Sequence, residues 1–98
     1  MNEFIDPANY DDRFIIFITN PNNDNNNAAV LTGNDLKKIS QDIFEQLIKF
    51  NVKISDDDLR YIQWSVKTHI SALKTGDAVE VYENGETHVY AIRVKKNN

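Results

Sequence analysis

Two histidines, a run of three aspartates and an asparagine-rich tract are the residues of this 98-residue chain from which chemistry could be built. Nucleophilic catalysis needs a nucleophile, a base and a third group that orients the base. The chain has no cysteine, and a serine would have to draw on His69 or His88, neither of which has a recognisable acid partner. His69 lies between Ser65 and Leu73 beside an apolar helical stripe and reads as a boundary residue. His88 projects onto the apolar face of a hairpin and reads as a half-buried structural residue. Metal binding on a helix calls for ligands three or four residues apart, and neither histidine has a carboxylate or second histidine at that spacing.

The aspartates Asp56, Asp57 and Asp58 resemble a cation cluster, but they follow Ser55 at a helix start, where the positive end of the helix dipole already accounts for them. The tract around Asp24 is rich in Asn and Asp yet lacks the central glycine and the terminal bidentate glutamate of a calcium loop. Paired carboxylates for acid-base work could be drawn from Asp11, Asp12 and the Asp56 run, but nothing sets one buried acid against one exposed. Gly33 stands alone before a helix and forms no phosphate-cradling fingerprint. The expectation is therefore a protein without catalytic residues, metal ligands or cofactor.

With 41% apolar and 27% charged residues the chain falls on the globular side of the boundary with disordered sequences. Its length suits one modest core, so residues 1–98 are expected to form a single domain with an N-terminal arm at 1–12 and an exposed Asn-rich loop at 20–27. The absence of cysteine fits a reducing compartment. No signal-like start is present, and the longest apolar run, residues 14–18, is far short of the roughly 20 that span a bilayer. A cytoplasmic protein without membrane contact is expected.

The net charge of −4 is unevenly placed, because Glu3, Asp6, Asp11, Asp12, Asp24 and Asp35 face only Arg13 within the first 36 residues. Such a field repels phosphate backbones and attracts basic protein surfaces. The C-terminal Arg93, Lys95 and Lys96 form a minor patch suited to a solvated strand end. Direct nucleic-acid binding is not expected.

The elements that must position these residues follow from periodicity. Residues 13–19 are rich in β-branched and aromatic side chains, with Phe14, Ile16 and Ile18 on one face and Ile15 and Phe17 on the other, the pattern of a central strand covered on both sides. Residues 28–31 suggest a short returning strand. From Asn34 to Phe50 the apolar positions Leu36, Ile39, Ile43, Phe44, Leu47, Ile48 and Phe50 recur by threes and fours, predicting an amphipathic helix capped by Thr32 or Asn34. A second helix begins at a capping box, Ser55 with Asp58, buries Leu59, Ile62, Val66, Ile70 and Leu73, and is expected to end at Lys74 with Gly76 as the left-handed residue. Asn84-Gly85 between alternating segments predicts a hairpin with a two-residue type I′ loop. That register pairs Tyr82 with Thr87 and puts Val79, Val81, His88, Tyr90, Ile92 and Val94 on the core face, leaving Tyr82 and Val89 on the other. The fold class expected is α+β: a three- or four-stranded mainly antiparallel sheet with two consecutive helices, an αα-hairpin, packed on one face, in the order β-(β)-α-α-β-β.

What remains is surface with no evident cover: Ile15 and Phe17, Tyr82 and Val89, and Tyr61 and Trp64 beside the second helix's buried stripe. One cover within the chain would be Phe4, Ile5 and Tyr10 folding back over the sheet, with Trp64 packing on the first helix. Tyrosine and tryptophan are favoured anchors of protein interfaces. The binding residues expected are Asp11, Asp12, Tyr61, Trp64 and Tyr82, and the partner a protein with a basic surface. Short acidic chains without cysteine or cofactor motif are frequent among phage and mobile-element inhibitors of nucleases and host-defence effectors (anti-CRISPR-like), immunity proteins and antitoxins. By composition alone, a non-enzymatic inhibitor of that kind is the leading expectation. The alternatives are a self-associating structural or regulatory protein, a homodimer closed across the back of the sheet, and a small-ligand binder or enzyme with a site that no local motif reveals.

Overall fold

The computed structural model describes residues 12–21 and 28–95. Strands β1 (Asp12–Thr19) and β2 (Ala28–Gly33) are followed by helices α1 (Leu36–Lys49) and α2 (Asp56–Ser65), and α2 runs on into a π-helical segment, Val66–Ile70. Strands β3 (Ala78–Asn84) and β4 (Thr87–Lys95) complete the chain. The sheet is four-stranded, in the order β2-β1-β4-β3, and every pairing is antiparallel. The class and element order are those the sequence predicts, and residues 28–31 do belong to a strand. Both helices pack on one face, so Phe14, Ile16 and Ile18 of β1 are buried against Ile39, Ile43, Leu47, Ile62, Val66 and Ile70. Among the described residues no helix is long and apolar enough to cross a membrane.

The N-cap of helix α1 is Asp35, one residue after Asn34 and three after Thr32. The side chain of Asp35, in extended conformation, accepts from the backbone N–H groups of Lys37 and Lys38, while Thr32 is still part of β2. The Asp35 carboxylate thus satisfies orphan donors and opposes the positive dipole end at once. At the other terminus Asn51 takes φ 63°, the only positive φ of a non-glycine among the described residues. Its N–H bonds Ile48 O at 2.9 Å and the N–H of Val52 bonds Leu47 O at 3.0 Å, the two bonds of a Schellman ending. An asparagine fills the left-handed position that glycine usually takes.

The capping box of α2 is complete. Ser55 Oγ accepts from the Asp58 N–H at 3.1 Å, and the Ser55 N–H donates to Asp58 Oδ2 at 2.9 Å, so the shortened acid still reaches back. Past Ser65 the helix widens. The buried residues Ile62, Val66 and Ile70 are spaced by four, and a strict four-residue repeat drifts around an α-helix. The wider π turn winds less per residue and returns Ile70 to the core. The helical segment ends at Ile70 rather than Lys74. Gly76, at φ 91°, serves the turn into β3 instead, its N–H bonded to Arg93 O at 2.7 Å.

The hairpin departs most from expectation. Asn84 pairs with Thr87, Glu83 with His88 and Tyr82 with Val89, so the loop is Gly85-Glu86. Positive φ falls on Gly85 alone, at 64°, as a type II′ turn with glycine in its first central position requires, whereas type I′ would have needed it at Asn84 too. Moving the loop by one residue slides β4 by two residues against β3, which leaves the same β4 residues sharing a face; what differs from expectation is which face meets the helices. Thr87, Val89 and Ala91 are buried under the helices, while His88, Tyr90, Ile92 and Val94 lie on the back of the sheet. Farther along, Glu80 faces Tyr90, and Val81 is an extra residue that bulges β3. The bulge turns two successive side chains inward, so both Val81 and Tyr82 are buried. The buried hydroxyl of Ser65 donates to the Val81 carbonyl at 2.6 Å, locking α2 to the bulge.

A second buried polar link ties the turn end together. Asn20, expected to lie in an exposed loop, is buried, donates from Nδ2 to Phe50 O at 3.1 Å and accepts from Thr87 Oγ1 at 3.3 Å. One side chain thus joins the end of β1, the C-terminus of α1 and the start of β4.

Candidate functional site

Helix α2 presents its outer face as an aromatic ridge. Tyr61 and Trp64, three residues apart, are neighbours on the helix surface, with ring centroids 5.7 Å apart. Trp64 also meets His69 edge-on at 5.4 Å. Residues five apart do not share a face of a regular α-helix, so it is the π segment that brings His69 beside Trp64. Tyr61 is 48% and Trp64 53% exposed, so about half of each large side chain is available for contact.

Beneath Tyr61 lies Tyr82, with its ring centroid 6.3 Å away. Tyr82 is 4% exposed, so the expected anchor is a core residue. Its ring supports Tyr61 instead of meeting a partner. Burial raises its hydroxyl above the ordinary value, the hydrogen bond from Asn84 pulls the other way, and the Asp58 carboxylate raises it further by charge and hydrogen bonding. Asn84 Nδ2 reaches both Tyr82 Oη and Lys53 O at 3.1 Å, pinning the end of β3 against the start of α2.

Asp56, Asp57 and Asp58 occupy the first turn of α2. Arg60 pairs with Asp57, so the turn is partly neutralised, while Asp56 is exposed. Glu83, opposite His88, belongs to the back of the sheet. The ridge and the acidic turn lie on consecutive turns of one helix.

The remaining expected residues lie elsewhere. Asp12 opens β1 opposite Lys95, six β4 residues from the partner of Tyr82, which is about 20 Å along the sheet. Asp11 lies outside the described residues, as do Phe4, Ile5, Tyr10 and the tract around Asp24. Tyr61 and Trp64 are thus brought together with Tyr82 behind them, and Asp12 is at the other end of the sheet.

His88 has a partner that the expected register hides. Its Nδ1 is 2.5 Å from Glu80 Oε2, and its ring stacks on Tyr90 at 5.9 Å. Without the bulge Glu80 would lie on the opposite face from His88; the extra residue Val81 sets the two diagonally on the same side. Among the described residues no three of the His, Asp and Glu side chains converge as metal ligands would. Compared with known proteins, the chain matches no family model, no curated protein and no solved structure.

Proposed function

We propose that this chain is a small non-enzymatic inhibitor that works by binding a basic protein surface, with Tyr61 and Trp64 as its anchors. The observation that carries this reading is the half-exposed Tyr61–Trp64 pair, stiffened by Tyr82 and His69 and set one turn from the acidic start of α2. Anchors of this kind contribute most when they are rigid before contact, because less rotamer entropy is lost. The acidic turn supplies complementary charge. Asp12, distant from the ridge, steers the approach of a basic partner together with Asp11 rather than touching it, in keeping with the −4 net charge.

A nuclease or host-defence effector is the class of target we favour, since proteins that handle phosphate backbones carry the required positive surface. Phage or mobile-element origin and a cytoplasmic setting accord with the short, acidic, cysteine-free composition.

The test is capture of partners from the native host lysate by the tagged protein and by its Trp64→Ala variant, at low and high salt. One basic protein should be enriched by the wild type, released as salt screens the contact, and lost with Trp64→Ala. Equal capture by both proteins would remove Trp64 as an anchor. Reversing the charges of Asp11 and Asp12 should slow association at low salt, and an unchanged rate would remove the steering role.

A further inference from the structure

Between α1 and the π-helical end of α2 lies a groove of about 370 Å³, lined by Leu36, Lys37 and Ser40 from one helix and Gln63 and Lys67 from the other. Ser40 is buried, and its hydroxyl donates to the Leu36 carbonyl at 3.0 Å, so its small side chain turns its polar group back into its own helix. Leu36 packs against the core and adds an apolar wall. Lys37 and Lys67 are exposed, and lysine stems line apolar surface while their ammonium groups stay at the rim. We propose that this groove binds a small organic carboxylate with an apolar body, a medium-chain acyl carboxylate, whose charged end is held between Lys37 and Lys67.

Charge carries the inference. The chain has a net charge of −4, yet no carboxylate lines the groove and two ammonium groups do. The carboxylates of the two helices are engaged or distant. Asp35 accepts from the backbone N–H groups of Lys37 and Lys38, Asp42 pairs with Lys38, and Glu45 accepts from Gln41. Asp57 pairs with Arg60, and Asp58 closes the capping box with Ser55. Asp56 opens α2, about 16 Å along the axis from Lys67. Neither Lys37 nor Lys67 forms an ion pair among the described residues. A concave site lined by one sign of charge focuses its field and gathers ions of the other sign.

Size selects the ligand. At roughly 30 Å³ for each water-sized group, the groove has room for about twelve non-hydrogen atoms. A carboxylate group takes three, which leaves an apolar body of up to about nine carbons. Inorganic phosphate, with five atoms, would fill less than half of the space. Packed helices lie roughly 8–10 Å apart, so lysines from the two sides can reach one carboxylate.

The test is a heteronuclear NMR titration of the full chain with octanoate, beside octanol, octylammonium and inorganic phosphate. Octanoate should shift the amide signals of residues 36–40 and 63–67 saturably and bind at least about tenfold more tightly than octanol or octylammonium, the margin of a charge-assisted hydrogen bond. Lys37→Gln with Lys67→Gln, both at exposed positions and checked for fold by circular dichroism, should abolish that preference. An unchanged preference in this variant, or octanol bound as tightly as octanoate, would overturn the proposal. Shifts centred on the back of the sheet at Phe17 and Tyr90 would overturn it too, and phosphate bound as tightly as octanoate would remove the apolar body from it. The groove shares no residue with the Tyr61–Trp64 ridge, so Trp64→Ala should bind octanoate as the wild type does even where it loses a protein partner. Loss of octanoate with Trp64→Ala would place the ligand on the ridge and sink the groove.

Discussion

Replacing Ser65 with alanine tests the contact that fixes the bulge. Ser65 is fully buried, and its hydroxyl is 2.6 Å from the carbonyl of Val81, the extra residue of β3. The substitution removes one hydrogen bond, worth about 1 kcal/mol net, and leaves a buried carbonyl without that donor, which costs on the order of 1–3 kcal/mol by itself. These are two views of one loss, so the expected destabilisation is about 2 kcal/mol. For a domain of this length each kcal/mol shifts the melting midpoint by about 4–8 °C, giving a fall of about 8–16 °C. The urea midpoint should fall by roughly 1–2 M at an unchanged slope. Circular dichroism in the helical band reads both transitions. Ser71→Ala is the matched control, because Ser71 bonds the Lys67 carbonyl on an exposed turn and its loss should stay within about 0.5 kcal/mol. If Ser65→Ala were as mild as Ser71→Ala, the bulge would be held by the strand pairing and not by the helix, and the coupling of α2 to β3 described above would be wrong.

Two further outcomes follow from single contacts. Ser55→Ala removes the side chain that accepts the Asp58 N–H and should cost about 1 kcal/mol, measured by the same urea titration; Asp56→Ala, outside the capping box, should cost less. Tyr82 has its hydroxyl raised above the ordinary value of 10.0 in the folded state, so the unfolded chain releases this proton first as pH rises. Its contribution to stability is fully present below about pH 10 and is lost as pH climbs through the raised folded value. Tyr82→Phe should therefore flatten the alkaline fall in melting temperature, and a fall of undiminished slope would mean that other groups govern it.

The apolar face that the helices cover is decided by particular residues of β1 and α1 and was legible from their spacing. Ile39, Ile43, Leu47, Ile62, Val66 and Ile70 form stripes that only a helix can align, and all are buried. The aromatic pair was legible too, because Tyr61 and Trp64 stand off the stripe of α2 by simple helical geometry. The place of His69 was not, since it depends on the π segment, and a four-residue spacing of apolar side chains is common in helices without one. Asn20 and Ser65 gave no local signal at all: one is an asparagine beside a turn tract, the other a serine in a helix, and their partners lie 30, 67 and 16 residues away.

The sequence by itself determined which segments are helices and strands, their order, and the capping of α2, because these rest on contacts within a few residues of chain. Only the tertiary structure decided the register of the hairpin and the face that each of its residues takes. Strand β4 is apolar on both sides, with Val89 and Ala91 on one and Tyr90, Ile92 and Val94 on the other, so alternation has no preferred direction there. The choice is made by size and by long-range bonds. The small Ala91 and the compact Val89 fit beneath two helices, Thr87 meets buried Asn20, and the bulge at Val81 lets β3 bring both Val81 and Tyr82 inward. Nothing in the local pattern favours those contacts until the helices are in place.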